Sequence, residues 1–208
     1  MKKPVLHAVT TGKKSIEETA SICLDISPHV EAIHIREHTK TAREIYELGK
    51  KMIDFGIPAD QIIINNRVDV AAALGICPVQ LGYHSLPVNV VKESFSRLSI
   101  GKSVHSLLEA VEAEEEGADY ILFGHVYPTS SKKGLTPRGL DELTQLISNV
   151  TIPVIAIGGI LPSNAREVIQ KGCSGIAVMS GIFDAVDPVK AAIDYQNHLE
   201  LIFHEQFL

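Results

Sequence analysis

Cysteine is scarce in this chain. Its 208 residues hold three, Cys23, Cys77 and Cys173, far apart in sequence. They show neither metal-ligand spacing nor a disulfide framework. An odd number with apolar neighbours reads as buried thiols in a reducing compartment. Positive charge is also short: 19 Lys and Arg against 25 Asp and Glu leave a net charge of −6. A nucleic-acid partner or an anionic membrane surface does not fit that balance. Any anionic ligand must be held by a local site, not by a long-range field. Long apolar runs are missing too. The N-terminal stretch from Met1 offers five or six apolar positions interrupted by His7, too few for a signal peptide or a membrane span. A cytoplasmic protein is expected. No linker or low-complexity segment divides the chain, so one domain over residues 1–208 is expected.

What the chain does have is alternation. Apolar runs of strand length fall at Val5–Thr10, Ala32–Arg36, Gln61–Asn65, Pro78–Leu81, Ser99–Val104, Tyr120–Phe123, Val154–Ile157 and Gly175–Met179. Between them lie helical patterns near 15–27, 41–55, 67–74, 88–95, 105–116, 138–148, 163–171 and 187–203. Most of the strands are continuously apolar, as strands buried on both faces are. Gly75, Gly117 and Gly172 each close a helix just before a strand, where a left-handed cap favours glycine. Eight βα units in this length suit an α/β chain folded as a single (β/α)8 TIM barrel. A doubly wound open sheet is the alternative, but it rarely needs eight parallel strands.

In a barrel, strand C-terminal ends share one mouth. The stretch Ala118–Gly134 is organised accordingly. A buried strand, Tyr120–Phe123, breaks at Gly124, delivers His125, and opens into the polar loop holding Thr129, Ser131 and Lys132. The other strand ends contribute His34 and Arg36, then Asn65 and Asn66, then Gly82–Ser85, then Ser103 and His105. After the last two strands come Gly158-Gly159 and Met179-Ser180-Gly181. Small residues there let a phosphate approach backbone N–H groups, the usual grip of this fold. Glu112, Glu114, Glu115 and Glu116 read as a solvated helix face, and His198 and His204 as surface residues. His7 reads as a core residue rather than a ligand.

The segments IHIRE, IINNRVDVAAALGICPVQLG, GKSVHS, FGHVYPTSSKKG, IPVIAIGGI and IAVMSGIF resemble, in order and spacing, the thiamin phosphate synthase superfamily. The resemblance runs from His7 to about Tyr195 and is nearest to the thiazole tautomerase branch, the TenI type. The transferase branch carries acidic residues that hold magnesium after its third and fourth strands, and a Gly-Pro after the sixth. Here those positions are Asn66, Ser85 and Gly124-His125. Neutral side chains cannot replace hard anionic oxygens around magnesium.

The resemblance therefore implies an isomerase. It would aromatise a dihydrothiazole carboxylate phosphate by a proton shift, with His125 as acid and base. No metal and no cofactor is implied. Arg36 would pair with the substrate carboxylate or with other charge at that end, with His34, Ser103, His105, Thr129, Ser131 and Lys132 lining the mouth. Gly158, Gly159, Met179, Ser180 and Gly181 would hold the phosphate. Gly159→Val is expected to stay folded and lose its ligand. Two alternatives are a magnesium-dependent thiamin phosphate synthase and a non-catalytic binder of thiazole or thiamin phosphates. The partner is a small molecule, not a nucleic acid or a membrane, and a homodimer is left open.

Overall fold

The computed structural model describes residues 3–205; Met1 and Lys2, where the N-terminal stretch begins, lie outside them. Eight parallel strands close into a barrel in sequence order. They are β1 (Val5–Val9), β2 (Ala32–Ile35), β3 (Ile62–Asn65), β4 (Pro78–Leu81), β5 (Ser99–Val104), β6 (Tyr120–Gly124), β7 (Val154–Ile157) and β8 (Gly175–Val178). The seam pairs β1 with β8, Leu6 opposite Ile176. The helices are α1 (Ile16–Ile26), α2 (Ala42–Asp54), α3 (Val68–Leu74), α4 (Val88–Ser94), α5 (Leu107–Glu115), α6 (Gly139–Ile147), α7 (Pro162–Gln170), α8 (Ser180–Phe183) and α9 (Pro188–Glu205). Among the described residues there are also three short 3-10 turns, one of them Ser130–Lys132 in the loop after β6. The expected α/β barrel is the observed one.

Local chemistry starts the helices. In α1, Ser15 accepts from Glu18 N–H while the Glu18 carboxylate accepts from Ser15 N–H; Thr41 and Glu44 repeat the arrangement at α2. Each box satisfies two helix-end donors at once. Outward-facing strand residues such as Ile33, Ile35, Ile62, Ile64, Val79, Ile100, Ile121 and Phe123 are fully buried beneath the helices. Burying each such side chain contributes about 1.5–3 kcal/mol.

Four strands were expected to be one residue longer than they are. Thr10, Arg36, Gln61 and Met179 fall just outside the ladder. At the mouth, side chains take over from backbone pairing: Arg36 N–H donates to Thr10 Oγ1 at 2.9 Å. Met179 turns out of the strand into α8.

The barrel interior is less apolar than the sequence runs imply. Val9, Leu122, Ile155 and Ala177 form a small interior cluster, but beside it lie His7, His34, Gln80, Ser103 and Tyr120. Gln80 and His34 are wholly buried. Gly101 makes space among them: a Cβ there would lie 2.2 Å from Tyr120 Cζ and 2.4 Å from Gln80 Oε1. Two other readings change. Cys77 is exposed, while Cys23 and Cys173 are buried as expected. Glu114 and Glu116 are not idle surface charges. Glu114 accepts from Thr151 N–H, Thr151 Oγ1 and Ile152 N–H, and Glu116 from Val88 N–H. These carboxylates cap the loops that neighbour α5. His198 and His204 are exposed, as expected.

Candidate active site

The strand C-terminal ends enclose a cavity of about 690 Å³. Of the expected site residues, Arg36, Ser103, His105, His125, Thr129, Ser131, Lys132, Gly158, Gly159, Met179, Ser180 and Gly181 all line it. His34 does not. It lies beneath the floor, fully buried, bonded to His7 and to Asn65. Asn65, Asn66, His38, Tyr83 and His84 line the mouth as well. No Asp or Glu is among the lining residues.

Several of these polar groups are held by a neighbour. Arg36 Nη1 reaches across to Met179 Sδ at 3.6 Å. Gln80 Nε2 donates to Ser103 Oγ at 3.0 Å, which leaves the hydroxyl proton of Ser103 for a ligand. Gln80 was hidden inside an apolar run, and only its inward register reveals it. His105 is occupied: its N–H donates to Glu109 Oε2 at 2.7 Å, and its ring lies 3.5 Å from the same oxygen. Burial holds the His105 pKa below its ordinary value; Glu109 opposes this and Lys132 assists it. His38 is lowered too, by burial and then by Arg36.

His125 is buried at the end of β6, with Nε2 3.4 Å from the Leu135 carbonyl. The Gly124–His125 peptide is cis. A Cβ at Gly158 would lie 2.3 Å from His125 Cβ, so the turn after β7 packs directly on this residue. Gly158 and Gly159 both have positive φ, 101° and 68°, a conformation that favours glycine. The N–H groups of Gly159, Ile160, Ser180 and Gly181 have no backbone acceptor among the described residues. Two turns of free amides converging on one cavity can receive an anion.

Sequence reading gave no sign of what braces these turns. Tyr195, from α9, is buried and donates its hydroxyl to the Ile160 carbonyl at 2.9 Å. A Cβ at Gly181 would meet that same hydroxyl at 2.5 Å. One side chain thus touches both turns. Tyr195→Phe should lose about 0.5–1.5 kcal/mol of stability in urea denaturation, one net hydrogen bond. It should also weaken anion binding severalfold. Unchanged stability would show that the bond contributes nothing.

Comparison with known proteins decides the family. The thiamine monophosphate synthase profile matches residues 6–182. This chain belongs to that family. A thiamine-phosphate synthase of Pyrococcus furiosus is 40% identical over 193 residues, 92% of this chain and 93% of the relative. One from Chlorobium luteolum is 41% identical over 163 residues, 77% of each chain. The solved thiamine phosphate pyrophosphorylase of Pyrococcus furiosus superposes with a TM-score of 0.84 at 38% identity, covering 96% of this chain and 97% of that one. A 3-hexulose-6-phosphate synthase at 15% identity and TM-score 0.73 shares the fold alone.

These relatives correct the expected activity. They are named as synthases, which are transferases, and so overturn the reading of an isomerase. The acid–base role given to His125 depended on that reaction.

The family's magnesium is a separate question. Asn66 Oδ1 accepts from Gly82 N–H and from Ser85 Oγ, both at 2.9 Å. The two side chains at the positions where the resemblance puts metal-binding carboxylates are neutral and already bonded to each other. With no carboxylate lining the mouth, the donor set does not fit magnesium, a hard cation that binds through carboxylates and phosphates. Among the described residues no group of three or more His, Cys, Asp or Glu could hold a metal elsewhere. No helix among them is long and apolar enough to cross a membrane.

Proposed function

We propose that this chain joins a pyrimidine, delivered as its pyrophosphate, to a thiazole phosphate bound in the barrel mouth. The supporting observation is a cavity that has Arg36 and Lys132, two glycine-rich turns and no carboxylate in its lining. Such a mouth suits two anionic groups at once. The turns Gly158-Gly159 and Met179-Ser180-Gly181 hold the thiazole phosphate, through the free N–H groups of Gly159, Ile160, Ser180 and Gly181 and the Ser180 hydroxyl. Arg36 and Lys132 face the pyrophosphate, and Ser103, Thr129 and Ser131 donate to ligand oxygens.

The carbon–oxygen bond to pyrophosphate breaks as the thiazole nitrogen gives its electron pair to the same carbon. No proton is gained or lost. His125, beside the phosphate turn, therefore serves as a ring contact and not as an acid or base. The chain's own contribution is orientation and the neutralisation of leaving charge.

One observation favours a second reading, in which the protein binds thiazole or thiamin phosphates without turnover. It is the closed Asn66–Ser85 pair where the family holds its metal. One experiment separates the two. Purified protein is mixed with thiazole phosphate and pyrimidine pyrophosphate, and thiamin phosphate is measured. We expect product, reduced ~10–100-fold in Arg36→Met, the worth of a hydrogen bond to a charged group. Tight binding of thiazole phosphate with no product would support the binding protein.

A further inference from the structure

Beneath the mouth two histidines share the barrel interior, and the reaction above uses neither. His34 Nε2 lies 3.0 Å from His7 Nδ1, and His34 Nδ1 lies 3.3 Å from Asn65 Oδ1. A neutral imidazole has one donor and one acceptor nitrogen. Asn65 Oδ1 can only accept, so His34 Nδ1 carries the proton. His34 Nε2 is then a bare lone pair, and His7 Nδ1 must carry the next proton. With Asn65 Oδ1 facing His34, one order of protons satisfies the whole string. Both rings are suited to the neutral state. Burial pushes His7 down to about 4, and burial followed by the neighbouring His7 lowers His34.

We propose that His34, backed by His7, is a positioning residue that turns the Asn65 carbonyl inward and presents the Asn65 NH₂ to the mouth as a donor. The ligand atom that meets Asn65 is then an acceptor, either a phosphate oxygen or a ring nitrogen. The reverse order of protons would place Asn65 Oδ1 in the mouth, an acceptor in a cavity otherwise free of acidic side chains. Naming the acceptor as part of a thiazole phosphate or pyrimidine pyrophosphate rests on the proposed function. The orientation of Asn65 does not.

Two measurements on the full chain test this. Long-range ¹H–¹⁵N correlation spectra at pH 7.5 should show both His7 and His34 protonated on Nδ1. His34 protonated on Nε2 would overturn the proposal whatever the protein binds. Titration with thiazole phosphate should then show His34→Leu weakened ~10-fold, one net hydrogen bond. His34→Gln should be restored to within about threefold, because its amide can donate to Asn65 and accept from His7. Circular dichroism confirms that both variants fold. If folded His34→Leu and His34→Gln bind alike both thiazole phosphate and, in a parallel titration, pyrimidine pyrophosphate, His34 only fills space and the positioning role fails. If the wild type itself ignores thiazole phosphate, the proposed function fails, while the spectra still decide the order of protons.

Discussion

Gly159→Ala should lower the thermal midpoint by roughly 6–12 °C and abolish measurable binding of thiazole phosphate. A Cβ at Gly159 would lie 2.6 Å from the Pro128 carbonyl oxygen and 2.7 Å from Tyr127 Cβ. Neither neighbour is the flexible end of a side chain, so one segment or the other has to move. The residue also holds φ at 68°. Strain of about 1–3 kcal/mol and overpacking of similar size sum to about 2–6 kcal/mol, of which about 3 kcal/mol remains if the loop relaxes in part. In a domain of this size each kcal/mol is worth about 2–4 °C. Displacing Tyr127 and Pro128 also drags the loop that carries Thr129, Ser131 and Lys132. Gly159→Val, expected from the sequence to stay folded, should be less stable still, because the glycine is required by the protein's own loop before any ligand arrives. Ser180→Ala is the control, keeping the amides and the fold and losing ~10-fold in binding. A Gly159→Ala protein that melts with the wild type would show that the loop is not pinned there.

Acid should destabilise the protein through the buried histidine pair. A histidine whose folded pKa lies below its unfolded value binds fewer protons when folded. Stability is then full above about 6.5 and falls as the pH drops towards the folded value. For His7 that window runs from the ordinary 6.5 to about 4, and His34 is shifted in the same direction. Tyr120 is the other titratable ring facing His7, 6.2 Å away between centroids. One pKa unit is worth about 1.4 kcal/mol. His7 retains some accessible surface, which trims its share to on the order of 2 kcal/mol by pH 4. Urea denaturation at pH 7 and pH 4.5 should show this loss in the wild type. It should be largely gone in the His7→Asn, His34→Gln double variant, which keeps polar partners and removes both titrations. Equal acid sensitivity in the two proteins would mean that the pair is not held neutral.

Element order was legible because buried parallel strands are long apolar words set between amphipathic ones. The starts of α1 and α2 were placed by the helical pattern alone; the boxes Ser15-x-x-Glu18 and Thr41-x-x-Glu44 are a further signal that the pattern does not use. The mouth was legible for a topological reason: a barrel gathers all its strand ends, so Arg36, Ser103, His125 and Lys132 had to converge. Contacts between distant segments were not. Tyr195 braces Ile160 and Gly181 from a helix far along the chain, and no local pattern encodes that. His34 was misplaced because two-residue periodicity gives its face but not its depth; it is one layer too low to touch a ligand. The activity was misjudged from single positions. Asn66, Ser85 and His125 pointed away from the synthase, but relatives matching most of the chain are synthases.

The missing side chain at Gly101 has a consequence for how this barrel can vary. Gln80, Gly101 and Tyr120 occupy one volume on three adjacent strands. Any atom added at position 101 must be subtracted at 80 or 120. Because Gln80 also holds Ser103, the exchange would reach the mouth. The three positions can drift only as a set, and single substitutions at any of them will misreport what the others contribute. Reshaping this pocket therefore begins one layer below it.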